Sequence, residues 1–111
     1  MRAAAPSGDD LVRVLATLAN PHRMRVIATL LDKRAYVSEL ARDLGISRAL
    51  LQVHLRKLEA AGLVESRLEL SADGKAMKFY EVTPFAFTLT PGSIAEAATT
   101  LTAARAAGED D

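Results

Sequence analysis

Two hydrophobic periods run along this chain, and the switch between them divides it. Leu11, Val14, Leu15 and Leu18 recur at the 3.6-residue spacing of an amphipathic helix, with Asp9 and Asp10 at the end where a helix dipole favours negative charge. Asn20-Pro21 stops that helix and starts another: Asn caps, and proline suits the first helical position, where no N–H is needed. The second helix carries Met24, Ile27, Leu30 and Leu31 as its expected apolar stripe. Ser38 then precedes a short helix, Glu39 to Leu44, that ends at Gly45. Ser47 caps a longer one running through Ala61 to Gly62, with Leu51, Leu55 and Leu58 facing inward.

After Gly62 the period becomes two. Val64, Ser66, Leu68 and Leu70 alternate with Glu65, Arg67 and Glu69, Ala72-Asp73-Gly74-Lys75 carries a hairpin-turn signal, and Met77 to Val82 returns as a partner strand. Pro84 ends the hairpin, and Phe85, Phe87 and Leu89 alternate through an extended connector. Ser93 with Glu96 three residues later predicts a capping box, opening a last helix lined by Ile94, Ala97, Ala98, Leu101 and Ala104. The expected fold is mainly α with a small β-hairpin: about five helices and a two-stranded wing. A short helix, a tight glycine turn and a longer helix make a helix-turn-helix, and the hairpin makes it a winged one. Residues 1–8 are expected to be a flexible leader, 9–107 a single winged helix-turn-helix domain, and 108–111 an acidic tail.

Composition narrows the function classes. The 111 residues suit one domain, and with 50% apolar and 25% charged residues the chain is expected to fold compactly. No apolar run is long enough to span a membrane and the start lacks a secretory signal, so a cytoplasmic location is expected. The absence of cysteine excludes disulfides, thiolate metal sites and cysteine nucleophiles. With two separated histidines and no glycine-rich phosphate loop, the chain is not expected to be an enzyme.

Charge changes the picture most. The formal net charge is zero, yet residues 21–57 hold eight Lys or Arg against three acids. A basic middle is what a phosphate-facing surface requires. A helix fits the major groove, so Ser47 to Lys57 is the candidate reader of duplex DNA. Ser47, Arg48, Ala49, Leu50, Gln52 and Val53 would approach base edges or backbone, and Arg56 and Lys57 suit phosphates. Lys75 and Lys78 near the hairpin tip, with Arg67 on the facing strand, are the wing's candidates, while Asp73 is expected to serve the turn. The bland alternative for all of these is a solvated surface.

Leu18-Ala19-Asn20-Pro21-His22-Arg23-Met24-Arg25-Val26-Ile27 resembles the opening motif of ArsR/SmtB regulators. Val37 to Gly45 is similar to that family's Glu-Leu-Ala-x-x-Leu-Gly helix, and His54-Leu55-x-x-Leu58-x-x-Ala61-Gly62-Leu63-Val64 to the end of its reading helix. The resemblance implies a winged helix dimer, paired through its first and last helices, that controls transcription and is released by an effector. The chain departs from the pattern at Ala49, Leu50 and Val53, where the family is usually polar, in lacking the cysteine pair of its thiolate metal sensors, and in offering only Glu96 as a ligand on its last helix.

Pairing of two copies is expected through Leu11, Val14, Leu15 and Leu18 of the first helix and Ile94, Ala97, Ala98, Leu101 and Ala104 of the last. The alanines make a shallow stripe that lets helices approach closely. The sequence requires no cofactor. A divalent metal effector of nickel or zinc type is a weaker possibility, with His22 and His54 as candidate ligands and Asp9, Asp10 or Glu109-Asp110-Asp111 as supplementary carboxylates. The rival reading is a winged-helix co-regulator that needs a protein partner, or such a metal, to hold DNA.

Overall fold

The computed structural model describes residues 5–102. In chain order the elements are α1 (Gly8–Leu18), α2 (Pro21–Leu30), β1 (Ala35–Tyr36), α3 (Val37–Leu44), α4 (Arg48–Ala60), β2 (Val64–Leu70), β3 (Ala76–Val82) and α5 (Pro91–Ala98). Among the described residues no helix is long and apolar enough to cross a membrane.

The capping chemistry fixes most boundaries. Asn20 Oδ1 accepts the amides of His22 (2.9 Å) and Arg23 (3.2 Å), so α2 starts at Pro21 as expected. Ser47 Oγ accepts the amide of Leu50 (3.0 Å) at the head of α4. Between α3 and α4, Gly45 sits at φ 67°, ψ 31°, a left-handed conformation that a side chain disfavours and that turns the chain sharply enough to stack the two helices.

Leu30, Leu40, Leu51, Leu55, Leu58, Leu63, Val26 and Val64 are fully buried. Each such side chain contributes about 1.5–3 kcal/mol by leaving water. They come from α2, α3, α4 and the root of the hairpin, with Tyr80 and Ala35 closing the cluster from the sheet and Phe85 and Phe87 of the connector leaning on its edge. The core therefore holds the helix-turn-helix and the base of the wing as one piece.

Five expectations change. The wing is not an isolated pair: Ala35 and Tyr36 form a third strand, giving the antiparallel order β1-β3-β2 with Ala35 opposite Tyr80 and Tyr36 opposite Phe79. Because β1 runs straight into α3, that helix starts at Val37 behind Tyr36, without the expected Ser38 cap. The buried stripe of α2 is Val26 and Leu30 with Ile27 half-buried, whereas Met24 and Leu31 are 60% and 68% exposed, because α3 and α4 pack on the other flank. Residues 7 and 8, expected in the leader, belong to the start of α1. Ser7 Oγ accepts the Asp10 amide (3.1 Å), and Gly8 is already the first, buried, residue of α1.

The fifth change is at the last helix. Pro91 takes the first helical position, so the capping box falls one turn early: Thr90 Oγ1 accepts the Ser93 amide (3.0 Å) and Ser93 Oγ accepts the Thr90 amide (2.9 Å). The helix ends at Ala98, where the hydroxyls of Thr99 and Thr100 donate to the carbonyls of Glu96 (2.6 Å) and Ala97 (3.0 Å). Leu101 thus follows the helix, and Ala104 lies outside the described residues, as do residues 108–111.

The two ends of the described chain lock together. The Gly8 amide donates to Thr100 Oγ1 (2.7 Å), and the Asp9 carboxylate accepts both the amide of Thr102 (3.1 Å) and its hydroxyl. A Cβ at position 8 would lie 2.3 Å from the Ala97 carbonyl oxygen and 2.7 Å from Leu101 Cγ. Only glycine permits this approach, since a backbone carbonyl cannot turn aside as a flexible side chain can. Gly8→Ala should therefore push α5 off α1 and cost about 1–3 kcal/mol of stability in urea unfolding. An unchanged midpoint would show that the two helices do not need this contact.

Candidate nucleic-acid interface

The reading helix is defined by what its other face buries. Leu51, His54, Leu55 and Leu58 are within the protein, which turns Ala49, Val53, Arg56 and Ala60 outward by helical periodicity. Arg48 is exposed on one flank with half-buried Gln52, and Leu50 and Lys57 are exposed on the other. Thirteen residues give the helix a length of about 20 Å, enough to lie along a groove about 12 Å wide. Ser47 caps the helix by accepting the Leu50 amide, which leaves the O–H of this exposed residue able to donate outward.

Two of the eight cations of residues 21–57 are committed to ion pairs. Lys33 pairs with Asp43 (3.1 Å), and Arg34 forms a two-pronged pair with Glu69 while its guanidinium lies 4.6 Å from the Phe79 ring centre. Among the described residues Arg25, Arg42, Arg48, Arg56 and Lys57 carry no ion pair, so the uncommitted charge gathers on and near the helix-turn-helix. That is the distribution a polyanion selects.

The wing is more divided than its sequence suggested. Arg67 lies between two carboxylates, 2.8 Å from Glu81 and 3.5 Å from Glu65, so much of its charge is already balanced. Lys78 reaches back over the Tyr80 ring, 5.5 Å from its centre. Lys75 is exposed beside the turn. Asp73 serves that turn as expected, accepting the Ser71 hydroxyl and the Lys75 amide (3.3 Å), and these bonds hold its carboxyl below the ordinary range. Leu68 and Leu70, on the face that Val64 buries at the root, are 71% and 77% exposed because the hairpin outruns the core.

The histidines, far apart in sequence, meet: the rings of His22 and His54 are 5.3 Å apart. Arg23 joins them, its Nε donating to His54 Nδ1 (3.1 Å) and its Nη1 to the Thr17 carbonyl (3.2 Å). Accepting at Nδ1 leaves the proton of neutral His54 on Nε2, which is buried without a partner. One His54 nitrogen is taken, a guanidinium stands beside it, and among the described residues no three His, Cys, Asp or Glu gather that could hold an ion. Sequence reasoning treated His54 as a candidate ligand, although its phase with Leu51 and Leu58 marks the buried face.

Burial, and after it the charges of Arg23 and His22, lower the His54 pKa from its ordinary 6.5. The unfolded chain therefore takes up a proton near that value while the folded chain resists. Stability is complete above the ordinary value and is lost as pH falls through and below it. Thermal unfolding between about pH 7 and pH 5 should show this loss, and His54→Asn, which keeps an acceptor near Nδ1, should flatten it. An identical slope in the variant would remove His54 as its source.

With this geometry in place, residues 18–67 match the family described as a helix-turn-helix domain. An uncharacterised HTH-type transcriptional regulator of Methanocaldococcus jannaschii is 38% identical over 78 residues, covering 70% of this chain and 81% of that protein. Reduced HlyU from Vibrio cholerae superposes with a TM-score of 0.59 at 27% identity, covering 82% of this chain and 84% of that one. A homodimeric winged helix-turn-helix DNA-binding domain from Mycobacterium bovis, a possible ArsR-family regulator, gives a TM-score of 0.60 at 27% identity over 67% of this chain and 64% of that one. From its opening motif to its wing, the chain belongs to the ArsR/SmtB family of winged helix-turn-helix transcriptional regulators.

Proposed function

We propose that the protein binds a specific duplex operator as a homodimer, with α4 in the major groove of each half-site. The observation that carries this reading is the outward side of α4: Ala49, Val53 and Arg56 stand opposite a fully buried leucine face with Arg48 and Gln52 on its flank, and neither arginine has a competing ion pair among the described residues. Arg48 and Gln52 contact base edges or backbone, Ala49, Leu50 and Val53 supply apolar contact of the kind thymine methyls accept, and Arg56 holds phosphate. Lys75 assists from the wing, with Lys78 behind it. Arg67 contributes little, held as it is by Glu65 and Glu81.

Fluorescence anisotropy on the duplex upstream of the chain's own gene, with scrambled DNA alongside and salt varied, tests this. Arg48→Ala with Arg56→Ala should weaken binding by about tenfold or more and flatten the salt dependence, with the thermal midpoint unchanged. Unaltered affinity in the double variant would overturn the assignment of α4.

Pairing of two copies uses the apolar side chains left uncovered on α1 and around α5. Leu15, Ile94 and Leu101 are 39%, 43% and 45% exposed, Ala98 is exposed with them, and Val12 joins at 57%. Leu11, Val14 and Ala97 are buried within the chain itself and Leu18 is half-buried, so these position the pairing helices from beneath. The homodimeric state of the similar Mycobacterium bovis domain supports pairing of two copies, and the exposed apolar side chains support this place for it. Leu15→Arg with Ile94→Arg should convert the dimer to a folded monomer in sedimentation velocity. A dimer that survives both changes would place the interface elsewhere.

A further inference from the structure

Where α1, α2 and α4 converge, a cleft of about 340 Å³ is lined by Arg13, Ala16, Thr17, Arg23, Lys57 and Ala60. Three of its six lining residues are cations and none is an acid. Among the described residues no carboxylate pairs with Arg13, Arg23 or Lys57, although four other ion pairs form in the same chain. Like charges gathered around one cleft repel, more strongly where the surroundings are less polar than water. An anion in the cleft is attracted by all three cations and so offsets their mutual repulsion.

The middle cation is pre-positioned. Arg23 spends Nε on His54 Nδ1 and one Nη1 hydrogen on the Thr17 carbonyl, which fixes the guanidinium plane. Its Nη2 has no protein acceptor among the described residues, so part of the donor fork stays available in a fixed direction. A fixed guanidinium fork matches the paired oxygens of phosphate or carboxylate. Arg13 and Lys57 add charge from α1 and α4, and Ala16 and Ala60 give the cleft an apolar patch. Its volume falls at the small end of the range that holds organic ligands, roughly 300–1,000 Å³.

We propose that this cleft is a binding site for a small phosphate-bearing molecule, held by Arg13, Arg23 and Lys57. The site is distinct from the operator contacts. Lys57 follows Arg56 directly but is turned about 100° from it around the helix axis, onto the side of α4 that shares the cleft with α1. The lining comes from the reading helix and from α1, so a ligand there bridges the element that meets DNA and the element assigned to pairing. Lys57, expected from the sequence to hold operator phosphate, is reassigned to this second anion.

The first two arms of the test use the full chain without DNA, so their outcome is independent of whether the operator reading holds. Amide correlation spectra are recorded during titration with inorganic phosphate, and then pyrophosphate, against chloride at equal ionic strength. The expected result is saturable shifts confined to the neighbourhood of Arg13, Thr17, Arg23 and Lys57. Arg13→Ala should weaken binding about tenfold, as expected for loss of one charge-assisted contact, and Arg13→Glu should abolish it, both with unchanged spectra elsewhere. Shifts that grow linearly, scatter over the surface or persist in Arg13→Glu would overturn the proposal. A third arm separates the sources of phosphate: if free phosphate leaves the spectra untouched while Arg13→Ala weakens duplex binding, the cleft serves the DNA backbone and the small-ligand assignment falls.

Discussion

One helix has to satisfy two solvents at once, and the molecule is organised around that demand. Leu51, Leu55 and Leu58 of α4 are completely withdrawn from water, which commits the opposite side of the same helix to the outside. Rotating α4 by even a third of a turn would expose leucine and bury Arg56, at a cost no other contact in so small a core could offset. The orientation of the reading surface is therefore set by hydrophobic burial, not by anything on the surface itself. Ser47 and Gly45 determine where the helix begins, and the leucines determine which way it faces.

Local chemistry was legible in the sequence where it is carried by adjacent residues. Asn20-Pro21, Gly45, Ser47 and Asp73-Gly74 each act within a few positions of themselves, and each acts as the sequence implies. What stayed hidden depends on partners distant along the chain. Strand β1 has only two residues and exists because β3 comes alongside it. The α2 stripe follows from the direction in which α3 and α4 approach, which periodicity within α2 does not contain. The Arg23–His54 contact spans 31 residues.

The candidate site divides the same way. The residues of α4 were readable because one periodic element supplies them all. The wing was not, because an arginine's charge depends on what stands across the strand: Glu81 is opposite Glu65 in the register, and Arg67 reaches both. Even here a signal existed, since strand parity puts Glu65 and Arg67 on one face. Lys57 shows the limit of that approach. Its flank of α4 looks like more DNA surface in the sequence and proves to be a wall of a cleft shared with α1.

The two residues of β1 also set the mechanics of the wing. They grip β3 at Tyr80 and Phe79, with Ala35 sealed beneath, and Tyr36 stacks edge-on against Phe79. Past that grip the ribbon is two strands wide, with Leu68 and Leu70 standing clear of the body. A three-stranded root and a two-stranded tip resemble a clamped cantilever: Arg34 carries the clamp out to Glu69 through its ion pair, and only the stretch from Leu70 through the turn to Met77 lies beyond it. On the proposed reading of the DNA interface, a wing built this way would follow the width of a groove through its tip while the packed leucines hold α4 to the core, so that the shape of an operator and its base sequence would be met by separate parts of the protein.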